Sequence, residues 1–279
     1  MKLLTLQAPA KLNLSLRILN KRADGFHEID TLMVKLSGLA DVIEFHEADH
    51  FSLSCDDPSI PCDERNLVIK AKILYESIVC VDKKIKIILR KNIPHGAGLG
   101  GGSSDAAATL LGLNQLSGTK INDEQLIEMA ASLGSDIPFF MNAGAARCSG
   151  RGEIIHSIPA GPALPVLLLK PSFSVETPDA YRRWERSIEI KSVNYKAQEL
   201  EGLLLANDLE RPVFEKHRFL AEVKQWLLSR DETAAALMSG SGSTVFAILH
   251  DIHDAAALVK AARDELDPHF WCWSGTTED

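Results

Sequence analysis

Between Leu12 and Ile18 apolar and polar residues alternate without a break. This predicts a strand with Leu12, Leu14, Leu16 and Ile18 turned toward a core and Lys11, Asn13, Ser15 and Arg17 on the other face. Alternation persists over 29–36, 41–45 and 51–55, so further antiparallel strands are expected after the Asp24-Gly25 turn signal. The period then lengthens: Leu67, Ala71, Leu74 and Ile78 recur at helical spacing behind Asn66, a candidate N-cap. A strand over 85–89, a glycine-rich loop and a helix over 103–116 follow, then a helix opened by the Asn122-Asp-Glu-Gln125 capping box and closed by Gly134. Short strands over 145–148 and 153–158 lead to Pro159-Ala-Gly-Pro162, the best candidate linker.

Beyond the linker the pattern predicts a strand over 166–170 and a helix with Thr177 as N-cap and Pro178 as its first residue. Helices over 197–205 and 213–228 follow. Strands over 234–238 and 244–249 flank a Ser239-to-Ser243 turn, and a helix over 254–266 precedes a closing strand over 269–273. The order implies an α+β fold in two domains, 1–160 and 161–279, the second with helices stacked on one antiparallel sheet.

Composition narrows the class. With 279 residues, 46% hydrophobic and 24% charged, the chain can bury two cores and reads as soluble and globular. The apolar run Leu164 to Leu169 is too short to cross a bilayer, and Gln7 and Lys11 interrupt the stretch a signal peptide needs. A cytoplasmic protein with no membrane partner is expected. Cys55, Cys62, Cys80, Cys148 and Cys272 are odd in number and lack CxxC or Cys/His spacing, so they read as reduced thiols. A net charge of −8 argues against a nucleic-acid partner, though not against a small nucleotide. The sequence carries no signal for an oligomeric state.

The stretch from Pro94 to Ala108 carries the chemistry. Gly96, Gly98, Gly100, Gly101 and Gly102, with Ala97 and Leu99 between them and Ser103 and Ser104 after them, run straight into a helix-forming segment. Glycines let amides approach an anion, and the helix N-terminus favours negative charge, so the loop reads as a phosphate cradle. It lacks the Gly-Lys-Ser/Thr ending of a Walker A loop. It does contain Gly96-x-Gly98-x-x-Gly101, but a dinucleotide site needs a buried approach strand and a later acidic residue closing the next strand. Here Lys83 to Lys91 begins with alternation and 122–133 reads as a helix. Other candidates have two readings each. Lys11 is a solvated strand lysine or a site group beside Asn13, Asp136 a helix cap or a base, and the turn of Gly240, Ser241, Gly242 and Ser243 a plain hairpin or an anion nest.

Taken together, Ala8-Pro-Ala-Lys-Leu-Asn-Leu-Ser-Leu16 with Asp24-Gly-Phe-His-Glu-Ile29, then Pro94 to Ala107, then Met238 to Phe246, resemble the three motifs of the GHMP kinases across nearly the whole chain. The joined first motif resembles the branch acting on a cytidine diphosphate-linked polyol. The resemblance implies a two-domain fold with a ferredoxin-like second half, ATP with Mg2+ as cofactor, and phosphorylation of a hydroxyl on that small-molecule substrate. It places ATP on the loop from Pro94 to Ser104, with the Ser-Gly turn closing over the phosphates. It makes Asp136 the acceptor of the hydroxyl proton, Lys11 its partner that orients the acceptor, and Asn13 a hydrogen-bonding group to the polyol. The magnesium ligand stays undefined, with Ser103 and Ser104 as candidates. Phe26 and Tyr181, beside Thr177, would sandwich the cytosine while His27 reads its edge. Phe26 stands where the family usually has tyrosine and Tyr181 where phenylalanine is frequent, so the pair looks exchanged. Alternatively, Tyr181 packs its helix on the second domain. A mevalonate- or homoserine-type kinase and a non-catalytic nucleotide-binding module also remain open.

Overall fold

The computed structural model describes residues 1–79, 84–118, 120–159 and 161–278. Cys80, Lys83 and Ala160, which figure in the thiol, approach-strand and linker expectations, lie outside the described residues. Two long strands, β1 (Lys2–Lys21) and β2 (His27–Glu47), pair antiparallel along their whole length and form the spine. The strands expected at 29–36 and 41–45 are therefore one. Four register shifts bend β1 against β2, so that their two ends serve different layers.

Around the spine the first half adds β3 (Ser52–Cys55), α1 (Leu67–Val79), β4 (Ile85–Arg90), α2 (Gly101–Leu116), α3 (Asp123–Leu133), α4 (Ile137–Met141), β5 (Ala146–Ser149) and β6 (Ile154–Ser157). β4 pairs with one end of β2 and β5 with the other. β3 runs parallel to β4, a correction to the antiparallel expectation. The α1 crossover between them is the cause, since parallel neighbours need a long connection. α1 to α4 cover one face of these strands around Phe45, Tyr75, Leu110 and Phe139, all buried.

The second half contributes β7 (Pro165–Lys170), α5 (Thr177–Trp184), β8 (Gln198–Leu200), β9 (Leu203–Asn207), α6 (Glu210–Lys216), α7 (Arg218–Leu228), β10 (Thr233–Met238), β11 (Val245–Leu249), α8 (Ala255–Glu265) and β12 (Trp271–Thr277). Its sheet order, β10-β11-β7-β12, is antiparallel throughout and has the ferredoxin-like arrangement. β12 then pairs with β2 at Thr276–Ser37 and Thr277–Leu36, so the sheet continues into the first half. Leu12 and Leu14 of β1 share a core with Val166, Leu168 and Phe246.

Two predicted helices are corrected. The segment 197–205 forms the hairpin β8–β9, because Glu201 and Gly202 take left-handed conformations and close a two-residue turn between Leu200 and Leu203. Helix-favouring leucines yield there to parallel pairing of β9 with Ser15 and Leu16 of β1. The helix expected over 213–228 is two, α6 and α7, broken at His217, whose φ of −118° and ψ of 73° are not helical. Among the described residues no helix is long and apolar enough to cross a membrane, and Cys55, Cys62, Cys148 and Cys272 are free thiols.

Candidate active site

A cavity of about 780 Å³ opens between the two halves, lined by Lys11 and Asn13 of β1, the glycine loop, Asp136, His27, Tyr181 of α5 and the Gly240–Ser241 turn. Every element predicted to carry chemistry reaches it. Six Lys and Arg side chains line it against three carboxylates, a locally positive site in a chain whose net charge is −8.

The loop is a stack of left-handed glycines. Gly96, Gly98 and Gly100 have φ of 61°, 76° and 72°, and Gly100 caps α2 with no side-chain hydrogen bond, leaving the first amides of the helix free. α2 thus starts at Gly101, two residues before the expected Ser103. A methyl on Gly98 would fall 2.2 Å from the Ser239 carbonyl oxygen, so backbone meets backbone where the loop touches the last turn. Ser239 Oγ also donates to Gly98 O at 3.0 Å, and the Thr244 amide to Ala97 O at 3.1 Å. In the first turn of α2 the Ser104 hydroxyl is buried without a partner, and Ser103 is half-buried.

The polar face of β1 is covered. Lys11 and Asn13 are each 3% exposed. Lys11 Nζ donates to Asn13 Oδ1 and stands 3.5 Å from Asp136 Oδ2. Asn13 Nδ2 donates to Thr31 Oγ1 at 2.8 Å, and Thr31 Oγ1 to the Ser15 carbonyl at 2.6 Å, so the pair is locked across β1 and β2. The Lys11 amide donates to Leu99 O at 3.0 Å, which ties the strand to the glycine loop. Asp136 precedes α4 yet makes no capping hydrogen bond, and its carboxylate is partly open to the cavity. Beneath it Cys148 is buried, and burial pushes its thiol up to about 12.

At the opposite end His27 opens β2 in a nest of rings. Its ring stacks on Tyr181 at 5.3 Å between centroids and meets Trp184 edge-on at 5.8 Å. Nε2 is buried and partnerless, and desolvation holds the imidazole below its ordinary pKa. Tyr181 also packs on the second-half core, and burial, then Asp136, pushes its hydroxyl upward. Phe26 is 51% exposed and carries the Arg151 guanidinium 4.7 Å above its ring. Among the described residues no ring contact joins Phe26 to Tyr181; His27 lies against Tyr181 instead. Thr177 is the first residue of α5 rather than its cap, because the cap position falls on Glu176, and its hydroxyl meets Ser241 Oγ at 2.7 Å.

Three features had no motif to announce them. Ile60, Pro61, Leu67 and Ile93 give the cavity an apolar wall by the loop, with Pro94 beside them. Lys91 bridges the buried carboxylates of Asp41 and Asp105 behind α2, where burial pushes Asp105 up to about 7. Asn207 reaches the last turn from the end of β9. Its place just after 197–205, a run read as helix, hid a strand-end amide. Among the described residues no three His, Cys, Asp or Glu gather as a metal cluster.

Family models match over both halves: the GHMP kinases N terminal domain over residues 66–144 and the GHMP kinases C terminal domain over 194–267. The chain is 40% identical over 275 residues to the 4-diphosphocytidyl-2-C-methyl-D-erythritol kinase of Methylacidiphilum infernorum, covering 95% of this chain and 93% of that protein. It is 38% identical to the enzyme of the same name from Caldanaerobacter subterraneus, covering 94% and 92%. A crystal structure of 4-(cytidine 5'-diphospho)-2C-methyl-D-erythritol kinase superposes with a TM-score of 0.80 at 33% identity over 99% of this chain and 100% of that one. Methanococcus jannaschii mevalonate kinase shares the fold, with a TM-score of 0.70 at 13% identity over 99% of this chain and 98% of that one.

Proposed function

The chain belongs to the GHMP kinases and, within them, to the 4-diphosphocytidyl-2-C-methyl-D-erythritol kinase family, and on that premise we propose that it transfers the γ-phosphoryl group of ATP to the 2-hydroxyl of 4-diphosphocytidyl-2-C-methyl-D-erythritol in isoprenoid precursor biosynthesis. The observation that carries this reading is the Lys11–Asp136 pair, 3.5 Å apart, in the cavity lined by the glycine loop. Phosphoryl transfer asks a protein chiefly to position groups and neutralise charge, and those parts are present.

ATP phosphates rest on the free amides of the loop and of the α2 first turn, under the Gly240–Ser243 turn, with the base against the wall of Ile60, Pro61, Leu67 and Ile93. Asp136 takes the proton of the acceptor hydroxyl as its oxygen attacks phosphorus; the bond from that phosphorus to the bridging oxygen breaks and ADP leaves. The Lys11 ammonium offsets negative charge developing on the attacking oxygen, and Asn13 fixes both the ammonium and the polyol. Ser103, which lines the cavity in the first turn of α2, and the partnerless Ser104 hydroxyl buried beside it are the oxygen donors that would hold Mg2+. An ion held there would supply neutralisation of phosphate charge. At the far end Tyr181 and Phe26 offer ring faces to cytosine, and the unpaired His27 Nε2 reads its edge. We read residues 1–160 as the catalytic domain, 161–279 as the closing one, and the cytoplasm as the compartment.

The test is ADP release from ATP with the cytidine diphosphate polyol, mevalonate and homoserine as separate acceptors. Turnover confined to the cytidine compound is expected. Equal or better turnover of another acceptor reassigns the substrate, and none with any acceptor removes the kinase reading.

A further inference from the structure

The turn from Ser239 to Ser243 closes the cavity over the glycine loop, yet the side chain that fixes it comes from outside all three motifs. Asn207, 7% exposed at the end of β9, donates from one Nδ2 to the carbonyls of Met238 and Gly240, both at 2.7 Å, while its Oδ1 accepts from the Leu209 amide at 2.9 Å. Both amide protons are spent on the turn. Glu210, held by Lys224 at 2.6 Å, accepts from the Met238 amide at 2.9 Å, so Met238 is gripped on both sides.

The same residue is registered on β1, the strand that carries Lys11 and Asn13. Asn207 aligns with Leu16 of β1 in the parallel pairing, the Asp208 amide donates to Leu16 O at 2.9 Å, and Asp208 Oδ2 accepts from the Ile18 amide at 2.8 Å. Gly240, the far end of the clamp, has φ +55° and lies so close to that pair that a methyl on it would fall 3.1 Å from Asn13 Oδ1 and 3.3 Å from Lys11 Nζ. Asn207 thus ties Gly240 to the strand that bears Lys11, while the Ser239 and Thr177 hydroxyls brace the same turn on the glycine loop and on α5.

We propose that Asn207 is a positioning residue for phosphoryl transfer, holding the Gly240 turn against the Lys11–Asn13 pair at the spacing the transferred phosphoryl group requires. The inference rests on the kinase reading above. An Ångström of misplacement at a reacting centre can cost about 100-fold, so a clamp of this kind affects rate more than it affects folding.

The experiment compares Asn207→Asp and Asn207→Ala with Gln198→Ala, in steady-state kinetics and thermal melts of purified full-length chains. Asn207→Asp keeps the acceptor for Leu209 but turns an oxygen toward two carbonyls; Asn207→Ala removes both donors without that repulsion. Gln198 is the control, because it donates to the Ala236 carbonyl at 2.9 Å and accepts from the Ala236 amide at 3.1 Å, two residues upstream on the same strand. Both Asn207 variants are expected to lose about 10- to 100-fold in kcat, with KM for ATP raised and KM for the cytidine acceptor within about twofold. Gln198→Ala is expected to lower Tm and leave kcat alone. The role is overturned if Asn207→Ala keeps wild-type kcat, if Gln198→Ala loses as much, or if both Asn207 variants fail to fold while Gln198→Ala folds. A wild-type chain that releases no ADP with any acceptor overturns the kinase reading itself, and the positioning role with it.

Discussion

The two ends of the cavity are built from different material. At the glycine-loop end, backbone shapes the wall: left-handed glycines, a helix start without a side-chain cap, and a turn braced on Gly98 through Ser239. At the aromatic end, side chains from β2 and α5 meet as rings, with His27 Nε2 unpaired and Phe26 half in solvent. A backbone cradle accepts any triphosphate and is pre-shaped, whereas a ring cluster selects by shape and gains its hydrogen bonds only from a ligand.

Asp136 sits where the two ends meet, and its replacement should give the largest effect. Asp136→Asn is expected to lower kcat by about 10²–10⁴-fold, the usual worth of a general base, with KM for ATP nearly unchanged. The side chain makes no capping hydrogen bond, so stability should hold. A folded variant with wild-type kcat would reduce Asp136 to a structural residue.

That contrast also sets what the sequence could reveal. Glycine spacing announces a backbone cradle, because no other residue tolerates a carbonyl 2.2 Å from its Cβ position, as at Gly98. The polar face of β1 was visible in its alternation, although not that the cavity would bury Lys11 and Asn13 so fully. Hidden features depend on contacts between distant segments. Asn207 followed a leucine run whose helix propensity lost to pairing with β1, and Trp184 and Arg151 meet His27 and Phe26 only once α5 and the β5–β6 turn are in place. The parallel β3 could not be read from strand period, which is the same in either direction.

Removing a ring should separate the ends. Tyr181→Ala is expected to raise KM for the cytidine acceptor about 10- to 100-fold, since base stacking is worth about 1–3 kcal/mol, and to leave KM for ATP in place. Because Tyr181 also packs on the second-half core, Tm should fall as well. Equal weakening of both substrates would mean the ends are not independent. The reciprocal change is Gly98→Ala: a left-handed alanine costs about 1–2 kcal/mol before any clash with Ser239, so KM for ATP should rise about tenfold while the acceptor KM stays. An acceptor KM that moves with it would break the comparison from the other side.

The smallest expected effect tests whether the ring end is tuned by burial alone. His27 is 9% exposed, and desolvation, assisted by Lys21 and opposed by Glu185, holds its pKa below 6.5 in the native state. The unfolded chain therefore binds the proton more readily, and the stability His27 contributes is present above pH 6.5 and is lost as pH falls below that value through the depressed native pKa. His217 pulls the same way, also by desolvation. Asp105 pulls oppositely: burial raises it to about 7, so its contribution is lost as pH rises toward neutrality. The melting profile of the wild type alone mixes all three, and the informative quantity is its difference from His27→Gln, which keeps a polar side chain without the titration. That difference should favour the wild type increasingly from pH 5 to about pH 6.5 and level off above it, by a few degrees at most, since about 2–4 °C accompanies each kcal/mol in chains approaching this size. Over the same range the wild type's KM for the cytidine acceptor should fall as the imidazole becomes neutral and its Nε2 can accept from the base, while KM for ATP in the two proteins runs parallel. Parallel melting profiles, or an acceptor KM with identical pH dependence in both proteins, would mean that His27 does not titrate at the site, and the ring end would then select by shape alone.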